Sequence, residues 1–504
     1  MNLLCSAPID RFWSNVIEDL EKKLSLKLVY WVGANRTENV LQGVFLHDVW
    51  KAFSLEGCVP GWENQGDVFD IGEVSRVEYY NYLKILDRVD YGGFSFSERD
   101  DLFKRQLSYW MFVLKKYDIG FVLFSNAPHL PYDYPLYLCA KALGIKTVMF
   151  NASSIPGWCY LTTEIGGEAI EAGNGGCQQA VLARMHKEGI EPFLFSAHQN
   201  PWYMKMQARE QNSLRRRISS TAGASTVYAF ALGLYRWVVK RKDFRASFTV
   251  SGKLATFKFY DGIYRTKSLG VVELSQLKVA GQKKKEELSN EYRKFARRID
   301  PHEIGPYVYF ALHYQPELTT TPLGGDASDQ FYLVRALSRA LPDGYKLVIK
   351  EHPSQLARVL YGEQGRSRGC WEMLSALDNV IICDLEVPSI TLVKMASLVV
   401  TVTGTVGWEA MVNGKPCLYF GGAWYQKFPQ ATKGTIGNLK AQLIELLGLE
   451  RVEPISPAQL VEFFGRCAIK CDVHGPMKNP AVRDPALAAE YLTHAIDVLS
   501  AAKN

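Results

Sequence analysis

The feature that most constrains this chain is a strict alternation of strand and helix patterns between residues 306 and 421. Short apolar runs rich in β-branched residues, such as NVIICD and LVVTVTG, alternate with helical stretches such as DQFYLVRALSRAL and VGWEAMVNG. Loops of roughly two to six residues separate them. This alternation predicts a doubly wound parallel α/β sheet, and such sheets bind ligands at the carboxyl ends of their strands.

A second set of α/β units lies in the first half of the chain, in LSLKLVYWVGA, DIGFVLFSNAPH and IKTVMFN. A chain of 504 residues is too long for one core, so two domains are expected. We predict an N-terminal Rossmann-like domain over residues 1–300, with a basic helical insertion at about 195–300. A C-terminal Rossmann-like domain, closed by helices, is predicted over residues 301–504.

Charge is concentrated in the middle of the chain. The net charge is +6, yet residues 201–300 hold 22 Lys and Arg against 8 Asp and Glu, a net charge of +14. This imbalance indicates an anionic partner, such as a lipid surface or a polyanionic glycan. No motif of a nucleic-acid reader accompanies it, so we expect no nucleic-acid partner.

Other features favour a cytoplasmic protein. The first residues lack a basic stretch followed by a long apolar core, and no run reaches about 18 uncharged apolar residues. The ten cysteines are scattered singly, without the paired spacing of a zinc site, which is typical of reduced thiols. We therefore expect neither a leader nor a spanning helix, and no metal centre.

Four polar clusters follow strands of the C-terminal α/β region: His313–Glu317, Lys350–Pro353, Asp384–Glu386 and Thr403–Gly407. Each cluster alone is a common loop sequence. In a parallel sheet all four lie at one edge, where binding loops collect. Together they predict a functional site at this edge.

The last cluster suits a phosphate. Thr403, Gly404, Thr405 and Gly407 are predicted at a helix N-terminus, where backbone N–H groups and hydroxyls form an anion cradle. Glycine lets a phosphate approach the main chain. His352 is placed to donate to the same phosphate or to act on the leaving group.

Two further positions have alternative interpretations. Glu409 is predicted in the first helical turn, where a carboxylate accepts both hydroxyls of a ribose. It would equally complement the helix dipole, worth roughly 0.3–1 kcal/mol. In the N-terminal half, His129 and Asp133 follow a strand and are candidates for a base or an acceptor-binding group. His129 would equally cap or bridge its loop.

The segments FALHYQPELTTTPLGG, LVIKEHP and VVTVTGTVGWEAMVNGKPCLYFGGAWY, together with NAPHLPYDYPLYLCAKALGIKTV, resemble the capsular polysaccharide biosynthesis family. This family contains bacterial Kdo and nonulosonic-acid transferases of GT-B fold. The resemblance covers about residues 115–152 and 306–425. It implies two Rossmann-like domains that face a central cleft, and no match extends to the first 110 residues or the basic middle.

The resemblance also implies an activity: a metal-independent glycosyltransferase that uses a CMP-activated acidic sugar and no other cofactor. Kdo and nonulosonic acids such as pseudaminic acid remain open as the sugar. The acceptor would be a cell-surface or lipid-linked glycan in capsule, O-antigen or related polysaccharide synthesis. The basic segment would then contact the anionic inner face of the membrane as a peripheral protein does. It would equally be a solvated basic face of an ordinary helical insertion.

Site residues follow from the resemblance. His129 is the expected catalytic base, with Asp133 second, and His352 is expected to stabilise the leaving phosphate. The expected nucleotide-sugar-binding residues are Gln315, Lys350, His352, Pro353, Thr403, Gly404, Thr405, Gly407 and Glu409. Three alternatives stay open: a GT-B transferase that uses a UDP-sugar, a nonhydrolysing epimerase, and a non-catalytic scaffold for capsule assembly.

Overall fold

The structure is a computed structural model of the chain. It describes residues 1–34, 43–65, 69–90, 92–153, 155, 157–171, 183, 271–357, 362–449, 452–471, 473 and 484–501. The predicted basic insertion lies outside the described residues as far as residue 270.

The first sheet has seven strands. They are β1 (Asn2–Ser6), β2 (Lys27–Gly33), β3 (Phe45–Asp48), β4 (Ile119–Phe124), β5 (Lys146–Ala152), β6 (Cys159–Thr162) and β13 (Ala468–Ile469). Their order is β13-β6-β5-β4-β1-β2-β3. Strands β1 to β5 pair in parallel, whereas β6 and β13 pair antiparallel at one edge. The order 3-2-1-4-5 is that of a Rossmann fold, with its topological switch point between β1 and β4.

Helices cover both faces of this sheet. They are α1 (Arg11–Lys23), α2 (Val49–Ser54), α3 (Trp62–Gln65), α4 (Arg76–Leu86), α5 (Phe96–Lys116) and α6 (Asp133–Ala142). Ser75 and Ser95 begin α4 and α5 with capping boxes, each closed by a glutamate three residues later. The apolar face of α5 is buried against the sheet, because Trp110 and its neighbours along the helix are fully buried.

The second sheet has six strands. They are β7 (Tyr307–Ala311), β8 (Lys346–Lys350), β9 (Val380–Cys383), β10 (Leu398–Thr401), β11 (Cys417–Tyr419) and β12 (Ala431–Lys433). All pair in parallel, in the order β12-β11-β10-β7-β8-β9. Counted from β7, this is the full Rossmann order, and the switch point lies between β7 and β10. The predicted GT-B class, with two Rossmann-like α/β domains, is confirmed.

Helices also flank the second sheet. They are α7 (Val271–Phe295), α8 (Gln330–Ala340), α9 (Cys370–Ser375), α10 (Ser389–Met395), α11 (Thr405–Val412), α12 (Leu439–Leu447), α13 (Pro457–Cys467) and α14 (Pro485–Ala501). Strand interiors such as Val399 and Val400 are fully buried on both faces. That burial explains why these strands read as continuous apolar runs.

The chain crosses between the two sheets more than once. Helix α7 carries Leu277 against the first core, and Leu288 and Tyr292 into the second. The strand β13 then pairs with β6, and α14 packs on α1. The last strand and last helix of the predicted C-terminal domain, residues 301–504, therefore belong to the first sheet, because their apolar faces complete that core.

Within the described residues, no helix is both long enough and apolar enough to cross a bilayer. Nine of the ten cysteines are described, and all nine are free thiols.

Candidate functional site

Three loops meet at the switch point of the second sheet. They follow β7, β8 and β10, which are neighbours in the order β10-β7-β8. Because the strands are parallel, three of the predicted clusters, beginning at His313, Lys350 and Thr403, leave the sheet at the same edge. The fourth, beginning at Asp384, follows β9 beyond them. The structure thus places the predicted clusters along one edge.

The loop after β10 wraps around an imidazole. Nε2 of His313 accepts a hydrogen bond from the Thr403 N–H (3.3 Å) and lies 3.0 Å from the Thr401 hydroxyl. The Gly404 N–H donates to that same hydroxyl oxygen (2.9 Å). A Cβ on Gly404 would lie 2.8 Å from the Thr401 Oγ1 and 3.0 Å from the imidazole, so only glycine lets the turn close over His313.

The threonines of this turn differ in their surroundings. The Thr403 side chain is buried, and its hydroxyl donates to the Thr319 carbonyl (2.7 Å). Thr405 is exposed and is the first residue of α11. Thr405 therefore presents its hydroxyl at the helix N-terminus, whereas Thr403 stabilises the turn from within.

Gly407 lies on the buried face of α11. A Cβ there would lie 2.2 Å from Oη of Tyr425 and 2.8 Å from Sγ of Cys417. The Tyr425 hydroxyl donates to the Gly404 carbonyl (2.7 Å). The missing side chain thus makes room for a tyrosine that supports the turn, rather than for a ligand, since Gly407 faces the core.

The loop after β8 fixes a second imidazole. His352 caps the 3-10 turn Pro353–Leu356, and its Nδ1 accepts from the Ser354 N–H (3.2 Å). Burial lowers the pKa of His352 to about 4, and the charges of Arg366 and Lys350 add to this effect. His352 is therefore neutral near pH 7 and carries its proton on Nε2. Pro353 is exposed and starts the turn with its fixed φ.

Two residues that were predicted to contact the ligand, Lys350 and Gln315, form hydrogen bonds to other parts of the protein. The buried Lys350 ammonium donates to the Val387 carbonyl and to the Ser389 hydroxyl, so it ties β8 to the start of α10. The Gln315 side chain donates to the Ser328 carbonyl (2.7 Å) and accepts from Arg366 (2.7 Å). Both residues lie at the predicted edge, and their polar atoms hold neighbouring loops together.

Arg366 organises the base of the site. Its guanidinium forms two 2.8 Å bonds with Glu351, and both side chains are completely buried. It also donates to the His313 carbonyl (2.9 Å), and Glu351 accepts from the His352 N–H (2.7 Å). Arg366 was not predicted from the sequence, because it lies in the loop EQGRSRG with no strand pattern beside it.

Glu409 contrasts with the residues of this network. Its carboxyl group is partly buried and has no hydrogen-bond partner within the described part of the chain. Burial raises its pKa to about 7. Because α11 begins at Thr405, Glu409 lies just past the first turn, close to where it was predicted. A role in complementing the helix dipole is correspondingly weaker, since that effect is confined to the first turn.

In the first domain, Asp133 is the first residue of α6 and is buried. Its Oδ1 accepts from the backbone N–H groups of His129 (2.8 Å) and Leu130 (2.6 Å). Burial raises its pKa to about 7, although these two bonds oppose the shift. Asp133 therefore shapes the loop that carries His129.

The His129 ring is oriented by its own loop. Its Nδ1 lies 2.6 Å from the Ala127 carbonyl, which can only accept, so the proton is on Nδ1 and the lone pair on Nε2. Arg88 donates to the His129 carbonyl (3.1 Å). This tautomer is the one that a general base requires at Nε2.

Arg88 also connects the two domains. Burial raises the pKa of Glu317, in the loop after β7, and the positive charge of Arg88 partly offsets this shift. Leu318 beside it packs against the core of the first domain. The loop that carries His129 and the loop after β7 are therefore neighbours, which brings the candidate residues of both domains to one region.

Comparison with known families gives a match over residues 320–431, to the family described as "Capsule polysaccharide biosynthesis protein". The matched segment, residues 320–431, is similar to that family over about a fifth of the chain. This segment contains Thr403, Gly404, Thr405, Gly407 and Glu409, and the predicted family resemblance is confirmed. No curated protein matches the chain in sequence.

Solved structures similar to the chain include a β-Kdo 2,7 transferase, KpsC of Thermosulfurimonas dismutans, at 9% identity and a TM-score of 0.30, with 98% of this chain and 99% of that chain covered. The UDP-GlcNAc 2-epimerase of Methanocaldococcus jannaschii aligns at 12% identity and a TM-score of 0.24, over 92% and 98%. A trehalose-phosphate synthase of Burkholderia vietnamiensis aligns at 10% identity and a TM-score of 0.24, with 99% of this chain and 97% of that chain covered.

Proposed function

We propose that the chain is a glycosyltransferase that moves an acidic sugar, Kdo or a nonulosonic acid such as pseudaminic acid, from its CMP-activated donor to a cell-surface glycan. The observation that carries this proposal is the set of neutral donors at the β7/β10 switch point. The α11 N-terminus and the His352 imidazole lie at one edge, and neither depends on a positively charged side chain. Such an arrangement suits a single phosphate, which carries less negative charge than a diphosphate.

Each candidate residue has a role in this proposal. The Nε2–H of His352 and the Thr405 hydroxyl donate to the phosphate of CMP, which is the leaving group. Glu409, whose carboxyl group has no partner among the residues that the structure describes, accepts the ribose hydroxyls. Lys350, Gln315, Thr403 and Gly404 hold the loops in place around them. No metal ion is required in this scheme.

Acceptor activation is assigned to the first domain. The Nε2 lone pair of His129 takes the proton of the attacking hydroxyl, while Asp133 fixes the loop. The new glycosidic bond forms as the bond from the sugar to the CMP phosphate breaks. The basic residues between 201 and 300 would keep the enzyme at the anionic inner face of the membrane, close to a lipid-linked acceptor.

Thermal melting with CMP, UDP, GDP and ADP at equal concentration tests the donor class. A ligand that binds only the folded state stabilises it by about 2.7 kcal/mol at a hundredfold excess over Kd. We expect a shift with CMP that is reduced in Thr405→Val. As a matched control, Thr493→Val removes a hydroxyl on α14 that donates to the Ala489 carbonyl and should leave the CMP shift unchanged.

Other outcomes are decisive as well. A shift with UDP alone would replace the CMP-sugar proposal by the UDP-sugar transferase or epimerase. Turnover then separates an enzyme from a scaffold: the proposal expects release of CMP from CMP-Kdo or a CMP-nonulosonate that depends on a glycan acceptor. Binding of CMP with no turnover of either donor would favour the non-catalytic scaffold.

A further inference from the structure

His313 is a buried imidazole that no step of the proposed transfer uses. It is 8% exposed and lies two residues past the end of β7. Its backbone is fixed on both sides, because its N–H donates to Gln330 (2.6 Å) and its carbonyl accepts from Arg366 (2.9 Å). The ring therefore occupies a set position at the switch point.

The hydrogen bonds of the ring determine its tautomer. A backbone N–H can only donate, so the bond from the Thr403 N–H makes Nε2 an acceptor. The Thr401 hydroxyl already accepts from the Gly404 N–H, so its own proton is directed to the same Nε2. The proton of the neutral ring must then be on Nδ1. Burial lowers the pKa of His313 to about 3, so the ring is neutral near pH 7.

The Nδ1–H group has no hydrogen-bond partner in the described ranges of the chain. Because the His313 side chain is mostly buried, this donor has little access to bulk water and is available to a ligand or an ordered water molecule. Arg366 and Glu351 link the loops that carry His313 and His352, because Arg366 donates to the His313 carbonyl and Glu351 accepts from the His352 N–H. Two neutral imidazoles, each with one N–H uncommitted within the described chain, thus lie on adjacent loops of this edge, and that of His313 is beside the α11 N-terminus.

We propose that the Nδ1–H of His313 donates a hydrogen bond directly to a phosphate oxygen of the bound nucleotide, as a second imidazole donor next to His352. The inference rests on the proposed function only in taking a nucleotide as the ligand. The Thr403–Thr405 turn thereby has a second role, because it holds the imidazole by Nε2 and so presents Nδ1–H to the ligand. Since the ring is neutral, it donates without transferring its proton to the phosphate.

Two amide variants of His313 test its two ring nitrogens separately. In His313→Gln, the amide oxygen reaches the position of Nε2 and still accepts from Thr403, but no donor remains at Nδ1. In His313→Asn, the amide nitrogen takes the place of Nδ1–H, and the acceptor at Nε2 is lost. Calorimetric titration with CMP and with cytidine, alongside melting of each variant, gives the readouts.

We expect His313→Gln to weaken CMP binding about ten- to a hundredfold, the range for one hydrogen bond to a charged group, with cytidine binding unchanged. His313→Asn should lose more thermal stability and less CMP affinity than His313→Gln. Wild-type CMP affinity in a folded His313→Gln protein would overturn the inference. So would an equal loss for cytidine, because the contact would then not be to the phosphate.

Failure of the proposed function gives a different result. If the wild-type protein melts higher with UDP, GDP or ADP but not with CMP, the CMP-sugar proposal fails. The two variants are then titrated with that nucleotide and its nucleoside, and the same ordering is expected. If none of the four nucleotides binds the wild-type protein, both proposals are overturned.

Discussion

The two sheets share the Rossmann strand order, but their switch points are built differently. In the second sheet, the completely buried Arg366–Glu351 pair and the buried His313 join the loops after β7, β8 and β10 through side chains. In the first sheet, the loop after β4 is held by backbone N–H groups that donate to Asp133, and it carries one imidazole, His129. The edge of the first sheet is suited to present a single base. The edge of the second sheet is suited to hold an oxyanion with several fixed donors.

The largest effect is expected from breaking the buried ion pair at the edge of the second sheet. Arg366→Met leaves the buried Glu351 carboxylate without its charged partner, which should cost about 3–5 kcal/mol of unfolding free energy. CMP affinity should fall with it, because His313, Gln315 and His352 lose their common support. Urea unfolding followed by CMP titration measures both quantities.

Two companion variants isolate that effect. Adding Glu351→Leu to Arg366→Met should restore most of the stability and little of the CMP affinity. Arg99→Met breaks two partly buried ion pairs, with Asp87 and Asp90, in the first domain, so it should reduce stability and leave CMP affinity intact. Equal affinity losses for Arg99→Met and Arg366→Met would contradict the contrast between the two edges.

The imidazoles at the two edges, His352 and His129, should differ in what their loss does. His352→Ala should lower the transfer rate about 10²–10³-fold, as loss of one oxyanion donor does, and should weaken CMP binding. His129→Ala should lower the rate by about 10²–10⁴ as a lost base does, without weakening CMP binding. The exposed His302 supplies the control His302→Ala. An unchanged rate in His352→Ala would remove that residue from the mechanism.

A smaller effect is expected at Gly407, where the prediction from sequence was ligand binding. Gly407→Ala should cost about 1–3 kcal/mol through overpacking against Tyr425. Gly437→Ala is the matched control, because a Cβ there meets nothing within 4 Å. Adding Tyr425→Phe to Gly407→Ala should recover part of the loss, since it removes the closest atom. Equal melting temperatures for the two alanine variants would show that Gly407 is not a packing position.

The smallest effect concerns pH. The pKa of Glu409 in the folded protein, about 7, lies above its ordinary value of 4.5. The folded state therefore binds the proton more tightly, and the resulting stability is complete below about pH 4.5 and lost as the pH rises through 7. Glu409→Gln should reduce the fall in unfolding free energy between pH 5 and pH 8 by about 1 kcal/mol, a value for a partly exposed group, and melting at the two pH values measures it. The exposed Glu372 provides the control Glu372→Gln, in which the fall should match the wild type.

Local patterns were sufficient to predict the second sheet, because each of its strands β7 to β11 is a continuous apolar run between turn residues. They also placed His352, Thr405 and Glu409 at the correct edge. The partners of Lys350 and Gln315 were not predictable, since Val387 lies 37 residues away from Lys350 and Arg366 lies 51 residues from Gln315. No spacing rule connects residues so far apart.

The same limit explains the error about the last helix. The pattern of α14 predicted a helix correctly, but its apolar face matches α1, which precedes it by more than 460 residues. Its position in the sequence led to the prediction that α14 belongs to the C-terminal domain. The burial of Ala489, Leu492 and Ile496 in the first core shows that complementarity of faces decided the packing instead.

The return of β13 and α14 to the first sheet has a consequence for synthesis of the chain. A ribosome produces the N-terminal domain first, and domains generally begin to fold as they emerge. Here the groove on α1 and the open edge of β6 stay uncovered until residues 468–501 have been translated. The nascent protein therefore passes most of its elongation with an incomplete first domain, which makes that stage the one at which a chaperone would have the most apolar surface to protect.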